Sequence, residues 1–210
     1  GVKRIITSAA EHSAVIKATQ QASDRPQLEL VHAQHHEDGQ VDMGHLAELL
    51  AGSEKKTLVS LMHANNEVGV MVDLARLSAL CREHGALLHS DTVQTMGHYP
   101  LDLNAVDVDF LACRAHKLHG PKGTGFLYVN PKLRIDGMIV GGGQERMLRG
   151  GTENVAGIVG LAEAFAAAFE HMAEHEAHVR AMKARMVQGL RERVPGVVFN
   201  GDSDKEDRLY

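Results

Sequence analysis

Short apolar runs alternate with helix-patterned stretches from Lys3 to Val129, and this alternation constrains the fold more than any other feature. The runs read as strands at Lys3–Thr7, Gln27–Ala33, Lys56–His63, Ala86–Ser90, Val108–Cys113 and Gly125–Val129. Ser8 and Glu11 have capping-box spacing, which predicts a helix from there to about Ser23 with His12 in its first turn. Asp42 caps a second helix, Met43–Ala51, closed by Gly52. Asp73 caps a third, in which Leu74, Leu77, Leu80 and Cys81 share one face and Gly85 is the stop. Strands that alternate with helices need crossover connections, so the expected fold class is α/β: a mainly parallel mixed sheet flanked by helices. Beyond Glu153 the pattern stays helical to about Arg193, too long for a globular helix without a bend. A last strand is expected at Val197–Phe199. The abrupt start and end predict missing flanks, with uncovered sheet edges and a tendency to associate.

Charge and apolar pattern exclude some functions. A net charge of −5 with no basic stripe gives no footprint for nucleic acid. No apolar run approaches a membrane span, and the opening GVKRIITS reads as a strand, not a signal peptide. Two cysteines, Cys81 and Cys113, lie in apolar patterns and fit core positions in a reducing cytoplasm. His171, His175 and His178 have helical spacing, but the interleaved Glu170, Glu174 and Glu176 point to a solvated face and no metal site. His35 and His36 fall in a polar turn without an assigned role.

Polar residues mark the strand ends. His12 follows the first strand, Asn66 the third, Asp91 and Gln94 the fourth, and His116 with Lys117 the fifth. Each has an ordinary reading alone: His12 beside a helix start, Asn66 in a turn, Asp91 as a cap, Lys117 as a solvated loop lysine. In a parallel sheet these ends share one edge, where ligands bind. A half-desolvated lysine there would be a nucleophile toward a carbonyl. Lysine, carboxylate, imidazole and amide together suit pyridoxal phosphate, whose pyridine nitrogen needs an acidic partner. Strand alternation predicts that Asp91 and Val93 meet the same ring, with His12 on its other face. Lys122, inside the Gly-Pro turn, is the rival lysine and reads as a surface residue.

TSAAEHSAV, HANNEVGV, HSDTVQ, AHKLHGPKG and GGGQERMLRGGTENV occur in the order and spacing of a known family. Over nearly its whole length the chain resembles the NifS/IscS-type cysteine desulfurases. These are fold type I pyridoxal-phosphate enzymes of the class V aminotransferase superfamily. The resemblance implies a partial large domain at 1–152, a connecting helix at 153–193 and the start of a truncated small domain at 194–210. It implies that Lys117 is the cofactor's attachment point and acid/base. Asp91 would pair with the ring nitrogen and Gln94 with the ring hydroxyl oxygen. His12 would stack and assist proton transfer, His116 would contact the phosphate, and Asn66 would lie near the substrate carboxylate. Thr152 would reach the phosphate of a partner subunit in a homodimer. The implied reaction takes sulfur from L-cysteine onto an enzyme cysteine, leaving alanine, with sulfur-acceptor scaffold proteins downstream in iron–sulfur cluster assembly or tRNA thiolation.

The match has gaps. The family's sulfur-accepting cysteine and its substrate-carboxylate arginine lie beyond residue 210, and its glycine-rich phosphate loop lies before residue 1. Arg114 stands where the family commonly has a phosphate-contacting serine, and could pair with the phosphate bidentately or turn to solvent. The competing readings are a related selenocysteine lyase or aminotransferase, and an inactive dimerising scaffold.

Overall fold

A computed structural model describes residues 1–205. Six strands form one sheet in the order β2-β1-β3-β4-β5-β6. They are β1 (Arg4–Ser8), β2 (Glu29–Ala33), β3 (Thr57–Ser60), β4 (Leu87–Asp91), β5 (Phe110–Arg114) and β6 (Gly125–Val129). The first five are mutually parallel, and β6 returns antiparallel to β5. This is the predicted α/β arrangement. Every residue of β1 is buried, as expected for an inner strand covered on both faces.

The crossovers carry α1 (Ser13–Ser23), α2 (Met43–Ala51) and α3 (Leu74–Glu83). Helices α2 and α3 bury Leu46, Leu50, Leu77 and Cys81 in one core with Ile6, Val59, Leu88 and Leu111 of the strands. Asp42 and Asp73 cap them as predicted, by accepting from the amides of Gly44 and His45 and of Arg76.

The start of α1 differs from the capping-box reading. His12 is the N-cap: its Nδ1 accepts from the Ala14 amide at 3.1 Å. Glu11 turns inward: its Oε1 accepts from the Ser8 hydroxyl at 3.5 Å and from the Met62 amide at 2.7 Å, so the Ser8–Glu11 pair meets side chain to side chain and does not cap α1.

The long helical stretch breaks as expected. Helices α4 (Val155–Glu170) and α5 (Met172–Arg193) meet at His171 with a bend of 68°. Among the described residues, no single helix is long and apolar enough to cross a membrane. Small residues let α4 approach the turn after β5: Gly120 lies against Ala164, and a Cβ on Gly160 would come within 2.7 Å of Pro121. Val197–Phe199 is not a strand. It finds no ladder partner among the described residues, and Val198 is exposed. Residues 206–210, the end of the expected small-domain segment, lie outside the described part.

Candidate active site

The parallel strands bring their C-terminal ends to one edge, and backbone hydrogen bonds link these ends beyond the ladder. The Leu61 amide donates to His89 O at 3.1 Å, the His63 amide to Asp91 O at 3.0 Å and the Thr92 amide to Ala112 O at 3.1 Å. The segments after β3 and β4 therefore continue the sheet's register into the site.

On the first side, Glu11 is 6% exposed, and its Oε1 accepts from the Met62 amide at 2.7 Å. Its Oε2 is buried without a hydrogen-bond partner. Burial pushes the Glu11 carboxyl up to about 7; the Met62 amide opposes the shift and the charge of Asp91 adds to it. Asn65 answers from the other turn: its Nδ2 donates to Ala10 O at 2.6 Å, and its Oδ1 accepts from the amides of Glu67 and Val68. His12 and Asn66 line the same cleft of about 390 Å³ between these turns. With Nδ1 engaged as an acceptor, the neutral His12 ring carries its proton on Nε2. Asn66 is exposed and donates to Glu67 Oε1 at 2.7 Å.

Asp91 ends β4. Its Oδ1 accepts from the Val93 amide at 3.0 Å, and its Oδ2 has no protein partner among the described residues. The strand stops at Asp91, so strand alternation does not govern Val93; a tight turn places it, through that amide bond. The charge of Asp91 reaches Glu11, His89 and Cys113, which puts it among β1, β4 and β5. Gln94 follows in the same turn, half-buried. Beneath it, His63 Nδ1 and Thr95 Oγ1 share a hydrogen bond of 2.8 Å, and burial pushes the His63 imidazole down to about 4, partly opposed by Asp73. His89 is likewise lowered by burial and bonds Ser60 Oγ at 2.8 Å.

Asp91 is in register with Ala112 of β5, the strand that leads into the lysine turn. A single 3-10 turn, Ala115–Leu118, carries His116 and Lys117 and is closed by His119 in the left-handed conformation at φ 62°. His98 Nε2 lies 3.2 Å from Lys117 O. Lys117 is exposed, where a half-desolvated lysine was expected, because buried Ala115 and Leu118 turn the side chains between them outward. Arg114, His116, Lys117 and Thr152 make no side-chain hydrogen bond or ion pair with other described residues. Lys122 is exposed in the following turn, as expected.

The structure thus joins His12, Asn66 and Asp91 through bonded turns, brings Lys117 to the same edge by register, and leaves Thr152 on a separate loop. Glu11 and Asn65 were missed as site residues. The sequence signal was present: each directly adjoins a residue that was singled out.

Comparisons with known proteins bear on the family and the fold. Residues 2–209 match the family model described as Aminotransferase class-V. This chain belongs to that family. The class-V chain is 37% identical over 205 residues to a cysteine desulfurase IscS of Clostridium botulinum, covering 98% of this chain and 51% of that protein. It is 40% identical over 206 residues to one of Klebsiella pneumoniae, covering 97% and 50%. The chain spans about half the length of the curated relatives it matches. Among solved structures it is similar to a NifS-like protein from Rickettsia africae (TM-score 0.85, 31% identity, 95% of this chain and 56% of that one). It is also similar to DndA from Streptomyces lividans (TM-score 0.87, 33% identity, 96% and 57%). The class-V fold is that of the NifS-like fold type I enzymes.

Proposed function

We propose that the chain is the cofactor-binding part of a pyridoxal-phosphate-dependent cysteine desulfurase acting on L-cysteine. The observation that carries this reading is Asp91: one carboxylate oxygen is held by the Val93 amide, the other is open, and the residue is register-paired to the strand that delivers Lys117. The donor set fits the cofactor. It offers an acceptor for a ring N–H, an amine with no competing acid, a flat imidazole, and exposed Arg114 and His116 for a phosphate. When bound, the cofactor would supply an electron sink for bond cleavage at the substrate's α-carbon. Asp91 Oδ2 would hold the ring nitrogen's proton. Lys117 Nζ would hold the cofactor and then carry protons. His12 would cover one ring face and Val93 the other. Gln94 would bond the ring oxygen, and Asn66 would orient the substrate carboxylate.

The sulfur acceptor belongs to residues outside this chain. Burial raises the thiols of Cys81 and Cys113 to about 12 and 11, so neither is a thiolate at neutral pH. Residues 1–152 act as the large domain, 153–193 as the connecting helix and 194–210 as the start of a small domain. A homodimer in the cytoplasm accounts for Thr152, which would contact the partner's phosphate; Met138, Val140 and Met147, at 91%, 94% and 70% exposure, supply apolar surface near that loop. Transfer onward to sulfur-acceptor proteins completes the role.

The test is Lys117→Ala in the full-length protein. The visible absorbance of bound cofactor and sulfide release from L-cysteine should both disappear. Survival of both would sink the assignment.

A further inference from the structure

The cleft between the β1–α1 turn and the turn after β3 is crossed by two hydrogen bonds that run in opposite senses. Glu11, on the first turn, accepts from the Met62 amide of the second at 2.7 Å. Asn65, on the second, donates to Ala10 O of the first at 2.6 Å. Glu11 and Asn65 line the cleft and directly precede two further lining residues, His12 and Asn66, so each bond lies one residue from one of them.

We propose that Glu11 and Asn65 form a reciprocal clasp that sets the spacing of His12 and Asn66, making both of them positioning residues for the cofactor ring. This rests on the reading of the strand-end edge, with Asp91 and Lys117, as a pyridoxal-phosphate site that His12 and Asn66 border.

The state of Glu11 fits a clasp better than a charge. An ionised carboxylate with one buried, unpartnered oxygen carries a desolvation cost that no cation among the described residues offsets. The protonated acid keeps Oε1 as acceptor for Met62 and avoids a second negative charge beside Asp91, in line with its elevated titration. Asn65 has no such cost, because Oδ1 and Nδ2 are all engaged with backbone groups. Neither residue needs to touch the cofactor. They hold the backbone from which His12 and Asn66 project.

The experiment uses the full-length protein with Glu11→Ala, Glu11→Gln and Asn65→Ala. Three quantities are read: pyridoxal-phosphate dissociation, exchange of the Met62 amide, and the His12 ring resonances without cofactor. Glu11→Ala should raise the dissociation constant and Met62 exchange each about tenfold and shift the His12 signals, whereas Glu11→Gln stays within about twofold of wild type. Asn65→Ala should weaken cofactor binding similarly while leaving Met62 protected. If Glu11→Ala does not fold, Glu11→Asp, one methylene too short to reach Met62, takes its place. Equal loss in Glu11→Gln and Glu11→Ala would overturn the neutral clasp, as would faster Met62 exchange with unchanged cofactor affinity and His12 signals. If wild type binds no cofactor, the functional reading fails by itself, and the His12 signals still decide the clasp.

Discussion

Glu11, Asn65 and Asp91 on one side of the strand-end edge each hold a backbone amide or carbonyl of a turn, while Arg114, His116 and Lys117 on the other make no side-chain hydrogen bond or ion pair among the described residues. The first side follows the inner strands β1, β3 and β4, where backbone groups cannot reach water and must be paired. The second follows β5 and the short 3-10 turn, next to an edge strand whose Phe126 and Leu127 are exposed. On the proposed function this contrast would separate positioning from reaction, with Asp91 serving both: one oxygen is tied to the Val93 amide and the other is left for a ligand.

The sharpest way to break this contrast is to remove the fixed charge. Asp91→Asn keeps the Val93 amide bond but not the anion, and sulfide release should fall about 10³-fold, roughly 4 kcal/mol. A drop of less than about fivefold would mean Asp91 is only a turn former.

A second probe uses the two buried titrating groups of the fixed side. Glu11 has a folded value of about 7 against 4.5 unfolded, so the native state binds the extra proton between these values, and this contribution to stability falls as pH rises across them. His63 has a folded value of about 4 against 6.5, so the unfolded state binds the extra proton, and its contribution rises with pH over that window. The two slopes oppose, each worth at most roughly 3 kcal/mol over its window. Urea midpoints of Glu11→Gln should therefore climb more steeply than wild type from pH 4 to 6.5, and those of His63→Gln should decline from 4.5 to 7. Parallel profiles in all three proteins would show that these groups do not titrate as their burial dictates.

A third probe tests the backbone behind the lysine. Gly97 has φ +77°, and a Cβ there would lie 2.5 Å from Leu118 Cδ2. Gly97→Ala should cost about 1–2 kcal/mol in unfolding free energy and lower cofactor occupancy, because the displaced residue is Lys117's neighbour. The smallest effect belongs to Arg114→Ser. An exposed ion contact contributes under about 1 kcal/mol, so cofactor affinity should weaken only a few-fold and lose some salt dependence.

Much of this architecture was legible in the chain. Apolar runs broken by Asp caps and Gly stops located α2, α3 and the strands, because those signals are local and act through nearby amides. That the long helical stretch would break followed from its length; that the break falls at His171 did not. Glu11 misled for a physical reason: its spacing from Ser8 suits a cap, yet a buried amide 51 residues away is its strong partner, and no local pattern encodes that. Asn65 and Asn66 are adjacent and chemically identical, so only tertiary contact separates the clasp from the cleft residue. Lys117's exposure depends on what covers the turn, which spacing along the chain does not register. Val197–Phe199 has strand composition, but a strand also needs a neighbour.

The close seat of α4 on the turn after β5 has a mechanical consequence. Between Gly120 and Ala164, and between Gly160 and Pro121, no long side chain intervenes to deform. A tilt of α4 would therefore press directly on the lysine turn, and the first break along the helical chain beyond it is the 68° bend at His171. That bend separates the stretch packed against the lysine turn from α5, so a change confined to α5 would act at a distance from Lys117.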